Sequence, residues 1–318
     1  MAQLAYNISP RLTRNLNGIE ELRRNIALSP VAPKVEIRLR WEANLERVYY
    51  GMQLSENSLN KSQISKYLTQ PPKKTRDKQY REVLNYKATL NYIQQEWTAS
   101  FATVNTNTIR QLYNLACRET KGAPGSLFRK YEPELAQTLE YLQAGRDHPV
   151  TQAGVAYIQL MLLSPFTEGN GVVARLLAYL FLHKYGYDFR NMLILEEFFA
   201  NNATISRELR DKTKRSANLT LWLEFFTWGV ATRLKSSFEN LKKGKVSPSI
   251  PSTFWKLNDR QKEILNILDN PEVKVTNKDV QNKFKVSQIT ASRDLAHLTN
   301  LGLTTQKGKG RSTYYIRL

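Results

Sequence analysis

The stretch Leu163-Ser164-Pro165-Phe166-Thr167-Glu168-Gly169-Asn170-Gly171-Val172-Val173-Ala174-Arg175 joins two apolar runs, residues 156–163 and 172–183. The first run breaks at Ser164-Pro165, the chain turns through Gly169-Asn170-Gly171, and the second run reads as a helix. A helix, a glycine-rich turn and the start of a new helix together make an anion cradle. Glycine lets backbone N–H groups approach a ligand closely, and the first N–H groups of a helix have no partner within it. Glu168 stands at the lip, where a carboxylate could hold a divalent cation on a bound phosphate. Arg175 lies one turn into the helix, within reach of the same anion. The plainer alternative is a helix connection with a glycine C-cap.

Bulk properties bound the rest. With 318 residues the chain is long enough for two domains or three, and 41% hydrophobic residues with 16 Tyr and 12 Phe can build a real core. Cys117 is the only cysteine, so no intramolecular disulfide forms, and one Cys with three His gives no zinc spacing. A reducing, cytoplasmic location is the simplest reading. The first ten residues lack the basic and apolar regions of a secretory signal. No run reaches the ~18 apolar residues of a membrane span, so the expectation is a soluble protein with no membrane partner. The net charge of +19 favours polyanions such as nucleic acid.

Phe166, Glu168, Gly169, Asn170, Gly171 and Arg175 match, in register, the signature His-x-Phe-x-Asp/Glu-Gly-Asn-Gly-Arg-x-x-Arg, and the stretch resembles the Fic (Fic/DOC) family. The resemblance implies a mainly α domain that transfers AMP from ATP to a protein hydroxyl. It implies that Gly169, Asn170, Gly171 and Arg175 bind the phosphates of ATP or another nucleotide and that Glu168 holds Mg²⁺. Ser164 stands where the family has its general-base histidine, and Val172 where it has the first arginine. The cradle is kept and the base is lost.

Two further family features have counterparts here. Many relatives carry an inhibitory helix with Ser/Thr-x-x-x-Glu-Gly/Asn, whose glutamate pairs with the second motif arginine. Residues 51–60, G-M-Q-L-S-E-N-S-L-N, fit it imperfectly in two registers. In one, Glu56-Asn57 is the acidic pair and Met52 replaces the Ser/Thr; in the other, Ser55 replaces the glutamate. Glu56 as an ordinary residue near a helix end is equally consistent. In the family a β-hairpin flap pairs its edge with the target peptide, and here Pro124, Gly125, Phe128 and Arg129 have its flavour. Main-chain pairing of that kind aligns a modifiable side chain without reading sequence, so a protein target or partner would dock there. An ordinary surface loop is the alternative.

Around the motif the spacing predicts an all-helical body. Residues 1–40 read as an N-terminal arm with one helix near 18–27. Helices are expected at 39–50, 77–97, 106–117, 132–143, 150–163, 172–185, 194–200, 204–214 and 219–241, with a loop at 68–77. Trp222, Phe225, Phe226 and Trp228 are expected in the core. His148 lies about four turns before Ser164, roughly 20 Å along a straight helix, and reads as a cap or surface residue. The Fic-like domain spans residues 41–241, and residues 242–252, K-K-G-K-V-S-P-S-I-P-S, read as a linker.

Residues 253–318 form a second domain. Helices are expected at 258–268, 276–284 and 287–301, then a hairpin from Leu303-Thr304-Thr305 through Gly308-Lys309-Gly310 to residues 312–316. Three helices and a hairpin with a basic turn make a winged helix-turn-helix. T-A-S-R-D-L-A-H-L and L-G-L-x-x-x-x-G-K-G-R-S-T-Y-Y resemble the DeoR-like winged-helix family. Gln288, Thr290, Ser292 and Arg293 fall on the early turns of the third helix, where recognition helices touch base edges, and Arg is the commonest reader of guanine. Lys307, Lys309 and Arg311 on the wing suit phosphates or a minor groove. Residues 252–318 hold twelve Lys and Arg against six Asp and Glu, so double-stranded DNA is the expected partner.

The expected function is a DNA-binding regulator with a catalytically degenerate Fic-like domain that still binds a nucleotide or other phosphate ligand, with Mg²⁺ where the ligand is ATP. The alternative is an active adenylyltransferase with an appended DNA-binding or regulatory domain. Ser164 separates them, because a hydroxyl has no useful proton affinity near neutral pH, whereas imidazole does.

Overall fold

The computed structural model describes residues 5–69, 77–98, 100–145, 147–188, 190–243, 257–268, 270, 272–308 and 310–317. They divide into two compact units, Met1–Pro30 with Ala43–Gly244, and Val31–Glu42 with Lys245–Leu318.

The first unit is helical. In chain order its helices are α1 (Pro10–Leu28), the C-terminal part of α2 (Pro33–Gln53), α3 (Lys61–Thr69), α4 (Lys78–Glu96), α5 (Thr106–Ala116), α6 (Arg118–Lys121), α7 (Ser126–Gln143), α8 (Pro149–Leu163), α9 (Asn170–Lys184), α10 (Leu195–Asn201), α11 (Ala203–Ser216) and α12 (Thr220–Lys243). At its centre α8 and α9 pack on each other, with α12 on α8 and α1 along α12. Residues 150–160 of α8 and 172–183 of α9 are buried without interruption. A helix that is apolar all round has only the core to occupy. The loop between them is short, so the motif is held at one end of the most deeply buried helix pair.

The aromatic core forms around α12. Tyr157 stacks on Trp222 and Phe199, and the Trp222 indole donates to the Gly154 carbonyl at 2.9 Å. A Cβ at Gly229 would come within 2.6 Å of the Phe198 ring, so glycine is what lets Phe198 lie against α12. Trp222, Phe225 and Phe226 are core residues as expected. Trp228 is not; it is 39% exposed on the outer face of the same helix.

The expected arm is part of both units. α1 begins where Ser9 caps it, Oγ accepting from Leu12 N–H at 3.1 Å and donating to Glu224 at 2.6 Å, with Pro10 at the first helical position. Leu12, Ile19 and Ile26 are its buried residues. Residues 31–42 belong instead to the second unit. The expected linker is overlapped by α12, which runs to Lys243; residues 244–252 of that linker, and 70–76 of the expected loop at 68–77, lie outside the described residues.

The hairpin flap at 124–129 is corrected. Gly125 is the N-cap of α7, and Phe128 begins a buried row continued by Leu135, Leu139 and Leu142. That helical periodicity claims the residues a hairpin would need. Pro124 and Gly125 lead into the helix, and Arg129 is exposed on it.

The second unit contains α13 (Asp259–Leu268), α14 (Asn277–Phe284), α15 (Gln288–Asn300) and the antiparallel strands β1 (Thr304–Lys307) and β2 (Tyr314–Arg317), with Thr305 opposite Ile316. Val275 bridges to Tyr315 beside them. Ile264, Leu268, Val280, Ala291, Leu295 and Leu298 form the core, with Ile37 packed against it. A capping box between Thr276 and Asp279 starts α14, and Ser287 caps α15. Buried Asp294 accepts from Asn258, Gln261 and Arg260 at 3.2, 2.9 and 2.5 Å. An all-helical unit and a winged helix are therefore the architecture. Among the described residues, no helix is long and apolar enough to cross a membrane.

Candidate functional site

α8 ends at Ser164, which adopts the left-handed conformation (φ 46°, ψ 60°) and returns its N–H to Leu160 O at 2.9 Å. Its side chain is exposed, and its hydroxyl donates to the Met161 carbonyl at 2.9 Å. Phe166 then turns inward. It is 2% exposed and stacks on Tyr113 and Phe128, with centroids 4.1 and 5.3 Å apart. Phe128, expected on a flap, is part of the floor beneath the motif.

Asn170 closes the turn on itself. Its Oδ1 accepts from Phe166 N–H at 3.0 Å and its Nδ2 donates to Phe166 O at 2.6 Å. Gly169 has φ 84°, and a Cβ there would come 2.9 Å from Cys117 Sγ. Glycine is needed here for two reasons, the positive φ and the closeness of that sulfur. Burial pushes the Cys117 thiol up to about 12, so it is held as a packing group. No side chain caps the start of α9, so the first N–H groups of that helix keep their capacity for a ligand. Val172, in place of the family's arginine, is buried on the first turn.

The charged members of the motif have partners. Glu168 is exposed, with Lys121 Nζ at 3.7 Å from its carboxylate; the same ammonium lies 3.7 Å from Glu82. Arg175 is 6% exposed and donates from Nη2 to Ser55 Oγ at 3.0 Å and to Gly51 O at 3.2 Å. Of the two registers for residues 51–60, the chain thus sets Ser55 against the arginine, while Glu56 is exposed with φ 60°. Asn57 ties the following loop down, accepting from Leu59 N–H at 3.1 Å and donating to Gln79 O and Glu82 at 3.1 and 3.0 Å.

Behind Arg175 lies a polar cluster that sequence reasoning missed. Arg47 is fully buried; it donates to Asp188 at 2.7 Å and to Leu193 O at 3.1 Å, and its guanidinium lies 4.2 Å from the Tyr179 ring centre. Burial opposes its charge, but Tyr179, Asp188 and Glu196 outweigh that and raise its pKa. Tyr86 donates to Glu196 at 2.8 Å, and burial raises the Glu196 pKa. Residues 45–48 read Leu-Glu-Arg-Val, so nothing in the sequence sets Arg47 apart from its charged neighbour Glu46.

None of the chain's three histidines occupies the motif loop. His148 caps α8 at its far end, Nδ1 accepting from Val150 N–H at 3.2 Å, with Nε2 3.2 Å from Glu20. His183 is buried near the end of α9, with Nε2 2.8 Å from Thr98 Oγ1. Burial lowers the pKa of both. His297 lies on α15.

In the second unit, Gln288, Ser292 and Arg293 are exposed on the early turns of α15 and Thr290 is half-buried. Thr290 Oγ1 lies 3.0 Å from Ser287 Oγ, and Ser292 accepts from Asn277 Nδ2 at 2.8 Å. Gln288 and Arg293 are therefore the long polar side chains left exposed on these turns, while Thr290 bonds the N-cap Ser287 and Ser292 ties the helix to α14. Lys307 ends β1 and is half-buried. Lys309 lies outside the described residues, as does the side chain of Arg311, whose backbone is in the turn Gly310–Ser312.

Comparison with known proteins agrees with these two parts. A model of the Fic/DOC family matches residues 59–182, and one described as a winged helix DNA-binding domain matches residues 257–317. A crystal structure of a Fic family protein from Desulfovibrio desulfuricans G20 is 17% identical with a TM-score of 0.62, covering 98% of this chain and 97% of that one. Fic-1 of C. elegans (residues 134–508) is 18% identical with a TM-score of 0.60, covering 73% of this chain and 72% of that one. A Fic domain containing signaling protein from Bacteroides thetaiotaomicron VPI-5482 is 19% identical with a TM-score of 0.56, covering 74% and 97%. At these identities the likeness is one of fold. No curated protein matches the chain by sequence.

Proposed function

We propose that this chain, which carries a Fic/DOC-family domain at residues 59–182 and a winged-helix DNA-binding domain at residues 257–317, is a DNA-binding regulator whose Fic domain senses a phosphate-bearing ligand and transfers nothing. The observation that carries this reading is Ser164. Its hydroxyl is engaged with Met161 O, and no imidazole stands at the loop to take a proton from a target hydroxyl. The residues present fit a nucleotide in part. The uncapped start of α9 suits a phosphate. Glu168, exposed at the lip, would hold Mg²⁺ once released from Lys121. Bound Mg²⁺ would offset phosphate charge. Arg175 is committed to Ser55 and Gly51, and Val172 supplies no cation, so binding without chemistry is what the site favours.

DNA binding is supported by the outward-facing Gln288 and Arg293 and by the net charge of +19. A cytoplasmic setting keeps Cys117 reduced and gives access to DNA. An active adenylyltransferase is the second reading. It draws on Ser55, which offers Arg175 no carboxylate and so leaves the cradle without that brake.

Calorimetry of the full chain with ATP, ADP and AMP, with and without Mg²⁺, tests the sensor. Anisotropy with random and selected duplexes over a range of salt tests the DNA reading. We expect binding in both, and DNA affinity that falls with salt and changes with the ligand. No nucleotide binding at millimolar concentration removes the sensor, and DNA affinity indifferent to salt removes the regulator.

A further inference from the structure

We infer that Ile289 is a specificity residue that reads the methyl group of a thymine in the major groove. The inference rests on the DNA-binding reading of the second unit and deepens it. Ile289 is 65% exposed and is the one exposed large hydrophobic side chain among the described residues of that unit. It lies two residues past the N-cap Ser287. The buried face of α15 is Ala291, Asp294, Leu295 and Leu298. Ile289, Ser292, Arg293 and Ala296 are all exposed, at helical spacing along the other face. That face is the one a recognition helix turns to the bases.

The first turns are fixed rather than free to adapt. Asn277 Nδ2 donates to Ser292 Oγ at 2.8 Å and to Gln288 O at 3.3 Å, so α14 holds the helix start by side chain and backbone alike. Ile289 is β-branched and stiff at χ1, so its position is set with that of the helix. With Thr290 and Ser292 engaged inside the domain, an apolar group and an arginine one turn apart remain on this face. An apolar side chain meets the 5-methyl of thymine, the only apolar feature in the major-groove code, and Arg pairs with guanine O6 and N7. Four residues advance a helix by about 6 Å. At about 3.4 Å per base step, the thymine and the guanine therefore fall within roughly two base steps of each other.

The test uses the full chain and a duplex enriched from a random pool. Each thymine of the bound site is replaced in turn by uracil, which removes only the methyl group. Wild type should lose about fourfold in affinity at one position, the worth of one buried methyl. Ile289→Ala should bind the thymine duplex more weakly and show no penalty at that uracil, and Ile289→Val should fall between. If every uracil duplex binds like its parent, or the penalty survives intact in Ile289→Ala, the assignment is overturned while the DNA reading stands. If wild type shows no salt-dependent binding to any duplex, the DNA reading fails and this inference with it. Thermal melting of each variant shows whether weaker binding comes from unfolding, and an unfolded Ile289→Ala would itself contradict a side chain that only meets DNA.

Discussion

The motif loop between α8 and α9 and the face formed by α14 and α15 both place polar side chains at the start of a helix, and they dispose of them differently. In the loop the signature side chains have partners within the protein, although Glu168 stays exposed. Ser164 donates to Met161, Asn170 clamps Phe166, Glu168 has Lys121, and Arg175 holds Ser55 and Gly51. On α15 the short side chains do the internal work, Ser287 as cap and Ser292 toward Asn277, while Gln288, Ile289 and Arg293 are exposed. A group whose hydrogen bonds are already made gains little from a ligand, since binding only exchanges partners. An exposed, rigidly mounted group gains from the first partner that fits it. The same local device thus serves packing in one unit and leaves side chains exposed in the other, the surface that the proposed DNA reading needs.

The largest expected effect comes from reversing the first half of that contrast. Wild type incubated with labelled ATP and Mg²⁺ or Mn²⁺ should stay at background. Ser164→His restores a general base, an effect of ~10²–10⁴-fold, and the double variant with Val172→Arg should exceed it. Strong labelling by wild type would mean that another group supplies the base.

Next is the reading surface itself. Arg293→Ala should cost ~1–3 kcal/mol on the selected duplex and little on random DNA, whereas Lys307→Ala should weaken both alike and flatten the salt dependence. Equal losses on both duplexes for Arg293→Ala would place it on phosphates rather than bases.

A smaller effect probes how firmly Arg175 is held. Ser55→Ala removes two hydrogen bonds, the one from Arg175 and the one that Ser55 Oγ donates to Gly51 O at 2.9 Å, and leaves Arg175 its bond to Gly51 O. Urea titration should therefore show a loss of ~0.5–1.5 kcal/mol for the Arg175 bond and no more than that again for the other. Nucleotide affinity should rise if the arginine can then turn to a phosphate; unchanged affinity would make it purely structural.

The smallest effect is in pH. Burial lowers the His148 pKa from its ordinary 6.5, so the folded state favours the neutral ring. The unfolded chain takes up its proton first as pH falls, so the stability this residue contributes is full above about 6.5 and is lost below it. His183 adds in the same sense. His148→Asn keeps a good N-cap without the titration and should show a shallower fall in melting temperature below that pH. An identical slope would assign the whole effect elsewhere.

Within residues 257–317 the second unit was nearly fully legible in the sequence, because the signals there are local, whereas nothing local joins residues 31–42 to it. Thr276 and Ser287 are caps beside the helices they start, and Val280, Ala291, Leu295 and Leu298 repeat at helical intervals. In the first unit the helices around the motif were legible for the same reason, as was His148 as a cap. Other features were not. Phe128 looked like part of a turn because Pro124 and Gly125 precede it, yet those residues end one segment and Phe128 starts the next. α3 and α6 are too short for periodicity to show. Arg47 was obscured because its burial depends on Asp188, far away in sequence, and Trp228 because an aromatic run on a helix does not show which ring is left 39% exposed. The partners of Arg175 were open to sequence only as two competing registers, and tertiary contact chose between them.

Residues 31–42 belong to the unit completed by residues 245–318, and this orders events on the ribosome. Ile37 packs on a core made by residues 264–303, over two hundred positions later. At ~5–20 residues per second of synthesis, it waits roughly 10 to 55 s for its neighbours to be made. The second unit is therefore completed only after the motif loop has been made, and a nascent chain that has reached only residue 243 would hold a complete motif loop and no finished second unit.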